Sequence, residues 1–372
     1  MTVVKPHDIT ISIDIPQADG KTEKIYLQEL NNIQTVQELA NISRRVAISD
    51  TADLIFRLFA KSQNGDADIN KLSGRIPCLG KKYIQNLQEF FAQPNNTKII
   101  QEYNASNDKK HKRELRKKIT NTLSDYVSKN ISTQDMQYNF SKFKYKYDSE
   151  FLSIKDQLSH ATNRIFAKTM GLKTKDPFVM ATLDIWKDCL EKRSQKNREA
   201  YWMLVYDSNH KLIGMTFISS KVLKDKFINA NIIGHSGQIL DPSAQGHGYV
   251  SAIKSVMIDF MYDNMDDKIA SDSFFATTCD EFNENSQGLQ RKSGAKLLQD
   301  KNGNIIIDKG KMHWYATQDE IMNSELMKRA TEQGIKYTVT HISNHNSYTK
   351  NLNNPKHVII PNTKDYNYER IY

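Results

Sequence analysis

Strict alternation of apolar and polar residues opens the chain. Ile9, Ile11, Ile13 and Ile15 fall on one face, Pro16 and Ala18-Asp19-Gly20 form a turn, and Ile25 and Leu27 resume the alternation. That pattern predicts a β-hairpin. From Thr35 the period changes to that of a helix. Thr35 with Glu38 reads as a capping box ahead of a helix burying Val36, Leu39, Val46 and Ala47, and Asp50 opens a second with Leu54, Ile55, Leu58 and Phe59 inward. Breaks at Asn64-Gly65-Asp66 and between Gly74 and Gly80 precede one apolar stripe through Tyr83, Ile84, Leu87, Phe90 and Phe91. Residues 1–135 therefore read as a mostly helical accessory domain.

The second half mixes the two periods. Ser141 to Tyr147 reads as a strand, and helical patterns follow through Leu158, Ile165 and Phe166 and through Leu183, Ile185, Trp186 and Leu190. Tyr201–Tyr206 and Leu212–Ile218 flank a turn and predict a second hairpin. An apolar strand then ends at Ile239-Leu240-Asp241-Pro242, and a helix follows whose Ala252, Ile253, Val256, Met257, Phe260 and Met261 share one face. Ser271 to Thr278 reads as a strand and Asn283 to Gly294 as a helix ending at glycine. Leu297-Leu298 and Lys311 to Thr317 supply two more strands, Glu325 to Gln333 a short helix, and Tyr337 to Ile342 another strand before a polar, Asn-rich segment. The fold class is α/β.

Composition narrows the setting. A chain of 372 residues has room for two domains, and 38% apolar residues suit a globular core. Cys78, Cys189 and Cys279 are too few and too scattered for a disulfide framework or a Cys-x-x-Cys metal site, so they are expected to be reduced thiols of a cytoplasmic protein. No apolar run approaches the roughly eighteen residues a membrane span requires. The formal charge of +9 favours anionic partners, and seven of the residues from Lys109 to Lys118 are Lys or Arg. RNA, a ribosome or an anionic membrane surface suits that run, and so does plain solvent; no aromatic residue is interleaved for base stacking.

The candidate chemistry lies between residues 229 and 294. Gln245-Gly246-His247-Gly248-Tyr249-Val250 leads from the strand into the helix. Two glycines at a helix N-terminus let a bulky anion approach unpaired backbone N–H groups. No Gly-Lys-Ser/Thr follows, and the third glycine of a dinucleotide fingerprint is absent. The Gln-x-x-Gly-x-Gly/Ala pattern, met here at Gln245 and Gly248 but with Val250 last, together with Asn283, Ser286, Leu289, Lys292 and Gly294 at their spacing downstream, resembles the GNAT superfamily of acetyl-CoA-dependent N-acyltransferases. Within it, the branch resembled is that of the ribosomal-protein N-terminal acetyltransferases. The resemblance covers about residues 140–322, leaving residues 323–372 as a C-terminal extension.

The resemblance implies a mixed central sheet flanked by helices, with two strands splayed around the pantetheine arm of acetyl-CoA. It implies that the main chain of Ile239 and Leu240 pairs with that arm, and that Gln245, Gly246, His247, Gly248, Tyr249, Val250 and Ser251 hold the pyrophosphate. Asn283 and Ser286 would reach the sulfur end, with Ser286 or water protonating the thiolate and His235 as the candidate base. Val250 stands where glycine or alanine is usual, and Gln290 where many relatives carry a tyrosine acid. The implied reaction is acetyl transfer to a primary amine, a protein N-terminus or lysine being preferred. A small amine as acceptor, an inactive CoA-binding or interaction module, and a protein whose main business is the basic run all stay open.

Overall fold

In the computed structural model the described residues are 9–30, 32–63, 81–130, 165, 168–173, 176–193, 200–234, 236–280, 283–308, 311–341 and 346–352. The expected strand at 141–147 and the helical pattern through Leu158 lie outside them. In chain order the elements begin with β1 (Ile9–Pro16), β2 (Thr22–Glu29), α1 (Thr35–Gln63), α2 (Lys81–Ala92), α3 (Pro94–Ala105), α4 (Lys109–Asn130) and α5 (Pro177–Arg193). There follow β3 (Ala200–Tyr206), β4 (Leu212–Ser219), β5 (Leu223–Lys224), β6 (Asn231–Ile233), β7 (Ser236–Leu240), α6 (Tyr249–Asp263), α7 (Asp267–Ser271) and β8 (Ser273–Asp280). The chain continues with α8 (Glu284–Lys292), β9 (Lys296–Leu297), β10 (Ile307–Asp308), β11 (Lys311–Ala316), α9 (Gln318–Met322), α10 (Glu325–Glu332), β12 (Lys336–His341) and β13 (Asn346–Asn351).

Contacts divide the chain into two compact units, one of residues 1–39 with 185–372 and one of residues 40–184. The division falls inside α1 and α5, not at the sequence-based boundaries of 135–140 and 322–323. Backbone pairing gives the reason. The N-terminal hairpin is not part of a helical domain, because β2 pairs with β3 from Tyr26↔Tyr206 to Glu29↔Met203. The C-terminal segment joins the same sheet, because β12 satisfies the other edge of β1 from Ile9↔His341 to Asp14↔Lys336. Seven strands thus run in the order β13-β12-β1-β2-β3-β4-β7, and a second sheet runs β10-β11-β8-β6-β5, with β9 on β11. The fold is mixed α/β, with helices packed on these sheets.

Helix α1 is one element of 29 residues where the sequence pattern suggests two. The expected capping box at its start does not form. Asn32 serves instead: its side chain accepts the Gln34 N–H at 2.9 Å, and its carbonyl accepts the Thr35 hydroxyl at 2.6 Å. The unit of residues 40–184 is built on Phe56, Phe59, Phe90, Phe91, Ile119 and Leu123, so Phe90 and Phe91 of α2 are core. Within α4, Arg116 turns inward to the Asp53 carboxylate, which also takes Arg57 at 2.7 Å. Lys109, Lys110, Arg113, Lys117 and Lys118 remain exposed.

The two-sheet unit has one continuous core in which Ile11, Ile13, Ile25 and Leu27 meet Ile253, Val256, Met257 and Phe260 of α6. A buried charge cluster fastens the C-terminal hairpin to that helix. Asp259, 2% exposed, accepts the Tyr337 hydroxyl at 2.7 Å and the Lys350 ammonium at 2.8 Å, and Lys350 also reaches Asp263 at 2.7 Å. Burial pushes the Asp259 carboxyl up, against the pull of Lys350 and Tyr337. For Lys350, burial works downward but the two carboxylates outweigh it and hold the ammonium above its ordinary value of 10.5. A base raised on folding stabilises fully below its unfolded pKa and loses that contribution as pH rises through the folded one. Lys350→Met strands the buried Asp259 and the partly buried Asp263 carboxylates and is expected to cost about 3 kcal/mol at neutral pH. Urea unfolding of both proteins checks this, and the difference between them should narrow above pH 10.5 and again in acid as the Asp259 carboxyl takes up a proton.

Candidate active site

The segment from Asn231 to Leu240 holds two short strands with different partners. Its first part, β6, lies parallel to β8 over Asn231↔Ser273, Ile232↔Phe274 and Ile233↔Phe275. Its second part, β7, lies antiparallel to β4 from Ile218↔Ser236 to Gly214↔Leu240 and has no pairing with β8. From Ala276 onward β8 keeps only β11 as a partner. The two strands therefore fork, joined at Ile233–Phe275 and parted beyond it.

Gly234 sits at the branch. Its φ is +75°, its N–H donates to the Ser219 carbonyl at 2.7 Å, and a Cβ there would lie 2.1 Å from the Phe275 ring. Only glycine meets both demands. His235, the expected base, follows directly and lies outside the described residues.

The ladder also fixes which backbone groups face the gap. Asp241 donates its N–H to the Ile213 carbonyl at 2.8 Å, so by alternation Ile239 and Gly237 also direct their polar groups to β4. Gln238 and Leu240 direct theirs into the fork. The main chain of Ile239 is committed to Met215 in β4, while Gln238 and Leu240 face away from it.

At the mouth of the fork, Pro242–Ala244 make a single 3-10 turn capped by Asp241, which accepts the Ser243 N–H at 3.0 Å and its hydroxyl at 2.7 Å. Gln245 bends back and donates to the Leu240 carbonyl at 3.2 Å. Its side chain therefore braces the loop and leaves the cradle to the main chain. Gly246 and Gly248 have φ of +93° and +80°, and a Cβ at either would meet open space. Gly248 caps α6 without a side-chain hydrogen bond, its carbonyl accepting the Ala252 N–H at 3.1 Å. The N–H groups of Tyr249, Val250 and Ser251 then stand as the uncapped first turn. His247 stacks on Tyr249 at 5.5 Å, and the Tyr249 hydroxyl donates to Glu23 of β2. Burial first, then Glu23, holds that phenol well above its ordinary value. Val250 turns its branched side chain against the core, so the body accommodates it.

Across the fork, α8 begins at Asn283, whose side-chain oxygen accepts the Ser286 N–H at 3.0 Å. The Asn283 oxygen is thus engaged as a helix cap, while Ser286 is partly buried in the first turn. The far end closes at Gly294, with Ala295 N–H to the Gln290 carbonyl at 3.1 Å and Gly294 N–H to Arg291 at 3.0 Å. Gln290 is 5% exposed and its side-chain oxygen accepts from Lys254 of α6, itself 4% exposed. Lys254 also lies 5.9 Å from the centre of the Phe275 ring. Gly234, Gln238 and Lys254 were not singled out from the sequence. Only Gly234 leaves a signal there, as a glycine directly after an apolar strand.

The fork thus has two glycines in open surroundings and a helix N-terminus without a side-chain cap at its mouth. No protein-family model matches the chain, and no curated protein matches it. Among solved structures, a chimeric spermidine N-acetyltransferase from Vibrio cholerae aligns at 16% identity over 38% of this chain and 78% of its own, with a TM-score of 0.27. Mycobacterium smegmatis RimJ in complex with CoA-disulfide aligns at 13% over 47% and 83%, TM-score 0.29. A Salmonella typhimurium acetyl transferase that modifies the N-terminal serine of a 50S ribosomal subunit protein aligns at 16% over 37% and 74%, TM-score 0.26. Likenesses this faint carry no weight beside the chain's own geometry.

Gly234→Ala, which forces a side chain against Phe275 and into a left-handed backbone, is expected to lower stability by about 2 kcal/mol or more. Urea denaturation measures the loss. Adding Phe275→Leu should recover part of it, because the two positions share one contact.

Proposed function

We propose that the chain is an acyltransferase of the GNAT kind, moving an acetyl group from acetyl-CoA to a primary amine. The observation that carries this reading is the fork: two successive strands, β6 and β7, assigned to different sheets on either side of Gly234, with a glycine loop and an uncapped helix N-terminus at its open end. CoA has the matching form, an extended pantetheine arm ending in phosphates. Its pyrophosphate would lie on the N–H groups from Gly246 to Ser251, where the helix dipole favours negative charge. Its arm would lie along β7, bonded by the main chain of Gln238 and Leu240, as a strand added to an open edge. Nothing but backbone is needed for that grip, so it tolerates sequence divergence.

The acyl-CoA supplies an activated carbonyl, and the protein's part is orientation and charge. A Gln238 N–H facing the gap is placed to polarise the thioester oxygen, strongest where water is excluded. His235 and water remain candidates for taking the acceptor's proton, and Ser286 for serving the sulfur. For the acceptor we favour a protein N-terminus or lysine, since a chain of this size carries a whole helical unit that a small amine does not require. The exposed basic face of α4 suits an acidic or nucleic-acid-bearing partner.

Calorimetric titration with acetyl-CoA tests the reading. Micromolar binding by the wild type, reduced at least tenfold in a Gly246→Glu, Gly248→Glu double variant, is the expected result. Glutamates there place bulk and negative charge in open space at the cradle, so the variant should still fold. A folded wild type that does not bind would overturn the proposal.

A further inference from the structure

The inner end of the fork carries a polar cluster that its architecture does not require. Lys254 of α6 is 4% exposed, donates to the side-chain oxygen of Gln290 on α8, and lies over the ring of Phe275 on β8. Phe275 forms the last pair with Ile233 before the strands part, and its ring lies against Gly234 at the branch. Thr277, two residues on and on the same face of β8, is 2% exposed, and its hydroxyl has no hydrogen-bond partner among the described residues. Gln238 approaches from β7, its side-chain amide lying 3.3 Å from the Val250 carbonyl and 3.1 Å from the main-chain nitrogen of Lys254. A buried lysine, two buried amide or hydroxyl groups and the branch of the fork therefore share one place.

Burying an ammonium is costly, and apolar residues of similar length would fill the space with less penalty. The position of Lys254 gives a reason to keep it. The fork is closed at Ile233–Phe275 and open at the glycine loop, so an arm whose phosphates sit at the mouth must run inward, with its thioester end toward the branch. Resting on the acyl-CoA reading above, we propose that Lys254 meets the sulfur of the bound thioester and gives its proton to the departing thiolate, with Gln290 holding the ammonium in place. As the carbon–sulfur bond breaks, sulfur keeps the electron pair and takes a proton from Nζ. The neutral amine left behind then regains a proton from solvent. The acceptor nitrogen releases its own protons separately, so charge balances over the cycle.

The thiol of bound CoA reports this without any turnover. CoA labelled at the carbon next to sulfur is titrated by NMR, free and bound to the full chain. In the wild type the bound thiol should ionise about one pH unit or more below the free thiol, as a cation at hydrogen-bond range dictates. Lys254→Met and Lys254→Gln, two neutral replacements that guard against misfolding of either, should abolish the shift while acetyl-CoA still binds. Lys254→Arg should keep it. An unchanged shift in a folded neutral variant would overturn the role of Lys254 and leave the acyl-CoA reading standing. Failure of the folded wild type to bind CoA would remove both.

Discussion

Parallel pairing between β6 and β8 stops at Ile233–Phe275, and the two-sheet unit is organised around that stop. A strand can serve two neighbours at full length only if both run beside it. Here Gly234 turns the chain at a positive φ, under an aromatic ring that leaves no room for a Cβ, and the second half leaves with β4. The consequence is a strand edge at Gln238 and Leu240 that no other strand pairs with among the described residues, the Leu240 carbonyl taking the Gln245 side chain. Such an edge is a liability unless something pairs with it. An extended ligand arm is a suitable partner, and the uncapped start of α6 gives its charged end a seat.

The rest of the unit supports that opening. Helix α6 must hold its N-terminus at the mouth of the fork while its body covers the sheet. Its apolar face does the second, packing Ile253, Val256, Met257 and Phe260 on the core. The Asp259–Lys350–Asp263 cluster with Tyr337 anchors its C-terminal half to the last hairpin. The loop ahead of the helix is braced from both sides, by Asp241 on Ser243 and by Gln245 on the Leu240 carbonyl. Two residues whose types suggest ligand contacts, Gln245 and Asn283, thus spend side-chain hydrogen bonds on shaping the backbone. Under the proposed acyl-CoA reading the grip falls to main-chain groups, which no side-chain motif displays directly.

Charge is apportioned by the same kind of competition. The basic run of α4 looks uniform in the sequence, yet Arg116 is drawn inward by Asp53 while Lys109, Lys110, Arg113, Lys117 and Lys118 stay exposed. Lys254 is the opposite case, a cation placed deep in the unit beside Gln290 and Phe275.

The sequence by itself determined the local elements. Alternation in residues 9–27 and 201–218 gives both hairpins, the stripe from Ala252 to Met261 gives α6, and Gly294 ends α8 where a glycine terminator belongs. The two glycines at 246 and 248 marked the loop, because a positive φ has few other tenants. Tertiary structure alone decided which edges pair. Nothing local in Ile9–Ile15 says that β12 will lie against it, or that β2 will join β3 in one sheet, since those bonds link residues far apart in the chain. Likewise the alternation that marks Ile239 and Leu240 as strand cannot say which of them faces β4, and parity against Ile213 assigns the gap to Leu240 and Gln238. Periodicity records which side of an element is buried. The fork and the neighbours of Lys254 arise only when distant segments compete for the same hydrogen bonds and the same space.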